Sequence, residues 1–564
     1  MTKAKVKDGE NMSPKIFTLI KEKKITKEQV MKDIMAGVIV AIIALPLSIA
    51  LGISSGVSPE KGLITAIVAG FIISFLGGSR VQIGGPTGAF VVIVYTIVQT
   101  YGIDGLIIAT LMAGIMLVIM GVLKLGNLIK YVPHTITVGF TSGIAITLLS
   151  TQIKDFLGLS IESVPAEFIP KWQSYFNNMG TLNITSLLVG VGCILIMVYW
   201  PKINKTIPGS VIALIISTLV VQIFNLPIDT IGSRYAEISS SIPMPSIPML
   251  ELETIKTLFK PAMTIAILAA IESLLSAVVA DGMIDDNHDS NMELIAQGVG
   301  NIGSALFGGI PATGAIARTA ANVKNGGKSP ISGMVHAITL LLIMMLFMPL
   351  AKMIPMTTLA AVLIVVSYNM GEWSTFKSLL KAPKSDVVIL LLTFILTIVF
   401  DLVVAIEIGM VLAMFLWIRR LSETTDIKKV HGIKSERNKD GELMHGDNNK
   451  ILLYEVNGPF FFGVVQDFIK VISDIETSAE VLILDMRHTQ ALDASAISAL
   501  ERLHNHCNKH NIKLTLSNLQ QQPKKALTNM KFIKLLGEEA IFNTRYNAIE
   551  AAYEYINIEE EISI

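Results

Sequence analysis

Apolar residues in this chain come in long unbroken runs, not in the alternation of a half-buried strand or the three-four spacing of an amphipathic helix. From Ile34 to Trp417 the runs are roughly 15 to 22 residues long, enough to cross or nearly cross a hydrocarbon layer of about 30 Å. They predict fourteen spans, at 33–53, 62–76, 87–101, 104–123, 134–153, 181–200, 208–225, 261–280, 291–306, 314–323, 330–350, 357–369, 386–400 and 402–418, several too short to cross alone. An even count returns the C-terminus to its starting side. Loops assigned to that side carry Arg80, Lys124, Lys202, Lys324, Lys328 and Lys377, and Arg419 and Arg420 follow the last span. The long loops assigned to the other side, 154–180 and 226–260, are poor in basic residues for their length. This positive-inside pattern places both termini in the cytoplasm of a multi-pass protein of the cell (inner or plasma) membrane. No signal peptide is expected, because residues 1–33 are rich in lysine and glutamate.

After Arg420 the pattern changes. Residues 421–449 read as a polar linker, and the stretch from 450 onward has the rhythm of a small α/β domain. Strands are expected at 451–456, 481–484 and 512–516, with helices at 495–510 and 546–556. The domain reading is therefore 1–32, a cytoplasmic segment; 33–420, the transmembrane domain; 421–449, the linker; and 450–564, a cytoplasmic domain.

Within the membrane part a short motif recurs. Gly84-Gly85-Pro86-Thr87-Gly88-Ala89 returns, with two residues inserted, as Gly308-Gly309-Ile310-Pro311-Ala312-Thr313-Gly314-Ala315, and each copy opens a short apolar segment. Seven spans separate the copies, and an odd separation turns the second upside down in the membrane, the inverted repeat of secondary transporters. Pro46 precedes Pro86 by 40 residues and Glu272 precedes Pro311 by 39, which extends the correspondence upstream.

Composition agrees: of 564 residues, 52% are hydrophobic and 16% charged, and the mean hydropathy is +0.60. A formal net charge of zero removes the electrostatic case for nucleic-acid binding. Cys193 and Cys507 lack the spacing of a disulfide framework or zinc site. No metal, cofactor or catalytic constellation is expected, so the chain is not read as an enzyme.

The chemistry concentrates in the repeated turns. Irregular backbone at membrane depth is tolerated where it is buried in protein or lines a cavity, since each unsatisfied amide costs several kcal/mol. If each turn opens a half-helix, free N–H groups and two positive dipole ends face one space, which makes an anion site. Thr87 and Thr313 are placed to add hydroxyl donors there; the alternative is that these glycines serve only close helix packing. Arg318, one turn into the second half-helix, is either an attractor for a substrate anion or half of an ion pair with Glu272. Glu272 lies mid-span, with Ser276 on the same face, and a carboxylate there must be protonated, paired or ion-bound. It is the candidate coupling residue, for a proton or Na+.

Weaker signals have plainer readings. Asp401 and Glu407 suit caps, Gly139 and Gly143 suit helix packing, and the acidic loop with Asp281, Asp285, Asp286, His288 and Asp289 reads as a solvated charge run. Gly327-Lys328-Ser329 ends like a phosphate loop, but Asn322 stands where its first glycine belongs. In the C-terminal domain Asp493 is a natural N-cap, and Ser495 in the next turn is a candidate phosphate acceptor.

The run from Ser273 to Met283, Asn291 to Gly298 and Gly308 to Thr319 resembles the SulP (sulfate permease) family of anion transporters. The stretch Ala44-Leu45-Pro46-Leu47-Ser48-Ile49-Ala50 and a C-terminal part that looks like a STAS domain extend the likeness to nearly the whole chain. The resemblance implies an all-α polytopic membrane domain of fourteen segments in a seven-plus-seven inverted repeat, with core and gate domains, an elevator-type motion and a homodimer. Carried over by position, it implies a substrate site at Pro46, Ser48, Thr87, Gly88, Ala89, Thr313, Gly314, Ala315, Ala317 and Arg318, with Glu272 and Ser276 for the coupling ion. Relatives resembling Na+-coupled bicarbonate carriers have Asp-Ser-Leu-Leu-Thr where this chain has Glu272-Ser273-Leu274-Leu275-Ser276, which tilts the expectation toward protons. Asp493-Ala494-Ser495-Ala496 also departs from the Asp-Ser-Ser/Thr-Gly loop of phosphorylated relatives.

The function expected is proton-coupled symport or exchange of an inorganic anion, sulfate first, with bicarbonate or a dicarboxylate as alternatives. A nucleobase permease shares the implied architecture, but such carriers place acidic residues to hydrogen-bond a neutral ring, and the positive Arg318 and the STAS-like domain argue against it. A non-transporting anion sensor is the third reading.

Overall fold

The computed structural model describes residues 12–127, 132–204, 208–235, 238–246, 248, 252–400, 402–430, 450–473 and 479–562. It divides into two compact units, Met1–Val411 and Leu412–Ile564.

Each predicted span overlaps a helix. The first two are Lys27–Ser54 and Pro59–Leu76; the third and fourth form one run, Val91–Val122, broken at Gly102, whose φ of 70° and ψ of −172° are non-helical. His134–Thr151, Ile184–Ile203 and Gly209–Ile223 come next. The second half holds Leu252–Ile284, Ser290–Leu306, Ile316–Lys324, Ile331–Ala351, Met356–Met370, Lys384–Val399 and Leu402–Thr424. Two dipeptides at the repeated turns, Gly84–Gly85 (β1) and Thr313–Gly314 (β2), pair with each other.

Seven of the described helices are long and apolar enough to cross a membrane. On the least buried of them the pattern is reversed relative to a water-soluble bundle. On Ile184–Ile203, Ile184, Leu188, Val191, Leu195 and Val198 are exposed at successive turns, while Gly190, Cys193 and Met197 are buried. Small residues face inward and large apolar ones outward, which is stable when the surroundings are hydrocarbon. The glycine pair expected to pack does so: a Cβ at Gly139 would fall 2.7 Å from the Leu390 carbonyl oxygen, and one at Gly143 would fall 2.7 Å from Cβ of Thr397.

Two fully buried carboxylates tie down the loops that flank the turns. Asp33, near the start of the first span, accepts from Lys328 N (2.7 Å), Ser329 N (3.2 Å), Ser329 Oγ (2.5 Å) and Gln29 Nε2 (3.0 Å). Glu293 accepts from Gly78 N (2.9 Å), Ser79 N (3.1 Å) and Gln297 Nε2 (2.9 Å). A buried carboxylate survives when its lone pairs are filled by such donors.

The second unit is a five-stranded sheet of Asp426–Lys429 (β3), Ile451–Asn457 (β4), Val481–His488 (β5), Lys513–Ser517 (β6) and Ile541–Phe542 (β7), in the order β3-β4-β5-β6-β7. β3 runs antiparallel to β4 and the other neighbours are parallel. Alternation sorts the side chains: Leu452, Tyr454, Leu482 and Leu484 join the core under helix Ala494–Lys509, while Ile451, Leu453, Val481 and Ile483 meet helix Arg545–Ile562 on the other face. The stretch read as a linker differs from expectation, since its described part contains β3; residues 431–449 lie outside the described residues. Asp426-Ile427-Lys428-Lys429 looked like a linker because charge on an edge strand guards against further pairing.

Replacing Asp33 by Ala orphans three donors at once, since Gln29 Nε2 keeps its bond to Gly326 O, and is expected to cost roughly 2–4 kcal/mol of stability. A thermal melt of the detergent-solubilised protein checks this, with Asp33→Asn, which keeps an acceptor, melting between the two.

Candidate anion-binding site

The site begins with the pairing of the two turns. β1 and β2 run antiparallel, Gly84 opposite Gly314 and Gly85 opposite Thr313. Ala315 N donates to Ile83 O at 2.9 Å, and Ile83 N donates to Thr319 Oγ1 at 3.1 Å. Just past the bridge each chain turns helical. Extended Thr87 (φ −126°, ψ 161°) leads through the 3-10 turn Gly88–Phe90 into the helix at Val91, and extended Ala315 (φ −99°, ψ 107°) leads into the helix at Ile316. Antiparallel strands send these helices off in opposite directions, so both N-termini sit back at the bridge with their unpaired N–H groups.

Arg318 crosses between the two halves. Its guanidinium is buried, with Nη2 donating to Pro86 O at 2.9 Å and reaching Ser48 Oγ at 3.5 Å. Nε and Nη1 have no hydrogen-bond partner among the described residues. Gly85 makes room for this group: its φ is +154°, and a Cβ there would stand 2.2 Å from Nη1. Glu272 takes a different partner, accepting from Thr87 Oγ1 at 2.8 Å. Of the two arrangements open from sequence, an Arg318–Glu272 ion pair is absent among the described residues.

The other sequence candidates surround this crossing. Pro46 is buried inside the first span, where its missing N–H leaves a gap in the helix ladder, and Ser48 lies beside Arg318. Gly88, Ala89, Gly314 and Ala315 are buried against the bridge, whereas Ile316 and Ala317 are exposed. The Thr313 hydroxyl is engaged, donating to Ala269 O at 2.9 Å, and Ser276 Oγ reaches Thr319 Oγ1 at 3.5 Å. These two brace the turn against helix Leu252–Ile284.

Several supporting residues escaped the sequence reading. Gln82 Nε2 donates to Ser273 O at 3.1 Å and Asn322 Nδ2 to Val81 O at 2.9 Å, linking both turns to their neighbours. His336 is wholly buried, with neither ring nitrogen partnered among the described residues. Gln82 was within reach, as an amide directly before a Gly-Gly-Pro turn in an apolar run; His336, isolated in its span, carried no pattern.

Elsewhere the acidic loop is internally paired. His288 Nδ1 lies 2.7 Å from Asp281 Oδ2, Ser290 Oγ 2.9 Å from His288 Nε2, and Lys15 Nζ 3.3 Å from Asp286 Oδ2. Glu407 is exposed, and Asp401 lies outside the described residues. In the second unit Asp493 caps its helix by accepting from Ala496 N (2.8 Å) and also holds Phe462 N (3.0 Å); Ser495 is exposed beside it.

Comparison with known proteins bears on this geometry. A family model described as the sulfate permease family matches residues 30–393, and one described as the STAS domain matches residues 445–548. A putative sulfate transporter of Bacillus subtilis, YvdB, is 40% identical over 489 residues, covering 86% of this chain and 91% of that protein. The bicarbonate transporter BicA of Synechocystis is 29% identical over 514 residues, covering 87% and 88%. The solved structure of the murine Slc26a9 anion transporter superposes with a TM-score of 0.86 at 17% identity, covering 98% of this chain and 97% of that one. The transmembrane domain of a cyanobacterial BicA superposes with a TM-score of 0.61 at 28% identity, covering 69% and 98%.

Gly85→Ala forces the guanidinium off Pro86 O and is expected to weaken anion binding by about tenfold or more, as for a displaced buried charge contact. Titration of the purified protein with sulfate checks it, and an unchanged affinity with a normal melt would show that Arg318 does not depend on this contact.

Proposed function

Since the chain belongs to the sulfate permease family, we propose that it carries a small inorganic anion, sulfate foremost, across the cell membrane as a proton-coupled symporter or an exchanger. The observation that carries this reading is the convergence of two half-helix N-termini at β1–β2 beside a buried guanidinium with two nitrogens unpartnered among the described residues. Amide dipoles, N–H groups and a permanent positive charge then act on one small volume, and a compact anion is the solute they favour. Pro46, Ser48, Thr87, Gly88, Ala89 and residues 313–318 form its walls.

Glu272 is the coupling group in this reading. It touches the anion site through Thr87, so its protonation state and the site's occupancy bear on the same hydroxyl. A carboxylate that takes up a proton alongside an anion keeps the loaded site near neutral, which favours joint passage through an apolar surround. The bridge and the Asp33 and Glu293 contacts support an elevator-type motion, because they make the half-helices and their flanking loops one body.

Bicarbonate is the second reading, favoured by the likeness to BicA along most of the chain. It shares the site, and differs in the size and charge of the anion admitted.

In proteoliposomes Arg318→Ala is expected to lower sulfate uptake by about tenfold or more. Glu272→Gln is expected to abolish accumulation driven by an inward proton gradient while anion exchange persists. Radiotracer flux over a panel of anions, at two pH values and with or without Na+, checks both. Unchanged uptake in both variants would end the proposal, and accumulation that follows a Na+ gradient alone would replace the proton.

A further inference from the structure

A second cluster of positive charge lies away from the β1–β2 site. Helix Phe168–Asn177 follows His134–Thr151 in the chain and buries two of its residues, Lys171 and Tyr175, one turn apart on one face. Tyr175 is the anchor, its hydroxyl donating to Ser150 O at 2.9 Å. Lys171 is the anomaly. It is only 4% exposed as a residue, and no hydrogen bond or ion pair to a described residue holds its ammonium, which is not among the fully enclosed atoms and faces a cavity. Lysine is almost never buried this far without a partner. Burial pulls its amine down to about 8, against a smaller upward pull from Glu167.

Lys171 opens onto a cavity of about 570 Å³, lined also by Glu167, Lys260, Thr96, Thr100 and Thr264. It also borders a smaller space of about 130 Å³ toward Lys154, Asp155 and Arg234, where Arg234 and Asp155 pair at 2.8 Å. The large cavity holds two lysines against one glutamate. Its threonine hydroxyls already donate to helix carbonyls, Thr96 to Val92 O, Thr100 to Thr96 O and Thr264 to Lys260 O. The ammonium groups and the Tyr101 hydroxyl are therefore the side-chain donors left to a guest.

The cavity's position relates it to the anion pocket. Thr264 lies eight residues before Glu272 on one helix, about 12 Å along its axis, and the opposite wall is the helix that starts at the first repeated turn.

We propose that this cavity is a docking site for a small inorganic anion, distinct from the central pocket, in which the Lys171 ammonium is the recognising group and Lys260 assists. It rests on the anion-transport reading for its purpose but not for its test. An anion bound there compensates a mostly buried cation that forms no ion pair among the described residues and is offset only in part by Glu167, and holds solute one step from the central site.

The test labels Lys171 with pyridoxal 5′-phosphate, an anionic aldehyde whose imine, formed with loss of water, is fixed by borohydride reduction. The full-length protein is reconstituted and the modified peptide is read by mass spectrometry. Sulfate or bicarbonate in the medium is expected to slow labelling severalfold, in the wild type and equally in Arg318→Ala. No protection by either anion would overturn the proposal, as would protection that disappears in Arg318→Ala, since the anion would then be acting from the central pocket alone. Failure of the transport reading shows separately, as absent flux in the wild type. If flux is present, Lys171→Gln should raise the KM for the anion severalfold with kcat little changed, and Lys171→Arg should restore it; equal losses in both variants would mark a packing role instead.

Discussion

Two backbone pairs, Gly84 with Gly314 and Gly85 with Thr313, carry a weight out of proportion to their size. Separated by more than two hundred residues, the turns meet so that each supplies hydrogen-bond partners the other lacks, which a bilayer interior cannot. That pairing fixes where the two half-helices begin. It decides where their N–H groups gather, and gives Arg318 a carbonyl to grip across the join. Without it the irregular backbone would be an expense with no return; with it, the least regular part of the membrane domain becomes its best organised.

The surrounding contacts extend that order outward. Thr313 and Gln82 fasten the turns to helix Leu252–Ile284, and Thr319 caps the amide of Ile83. Asp33 and Glu293 secure the flanking loops with their carboxylates filled by backbone and amide donors. Threonine and glutamine side chains thus serve as struts here, while among the described residues two nitrogens of Arg318, both ring nitrogens of His336 and the amide oxygens of Gln82 and Asn322 are buried without a hydrogen-bond partner.

Much of this was legible in the residues. Apolar runs fixed the helices because length and hydrophobicity suffice in a bilayer, and the repeated Gly-Pro-Thr/Gly motif marked both half-helix starts. The partners of Arg318 and Glu272 were not legible, because sequence proximity cannot tell an ion pair from two separate contacts when the choice depends on a hydroxyl, Thr87, from the other repeat. β3 was missed since three charged residues around a single apolar one, Ile427, look like a tether. Lys171 was missed for the opposite reason: a lysine in an amphipathic loop helix looks solvated until its face is known to turn inward.

The idle nitrogens of Arg318 also bear on the rhythm of transport. A guanidinium without a counter-charge is costly to move through a low-dielectric surround, and one accompanied by an anion is not. If Arg318 binds the anion as proposed, the loaded form of the carrier crosses over a lower barrier than the bare form, and the slow stage of each cycle would be the unladen return. Trading one anion for another would then run faster than net delivery, unless a proton taken up by Glu272, the proposed coupling group, redresses the difference.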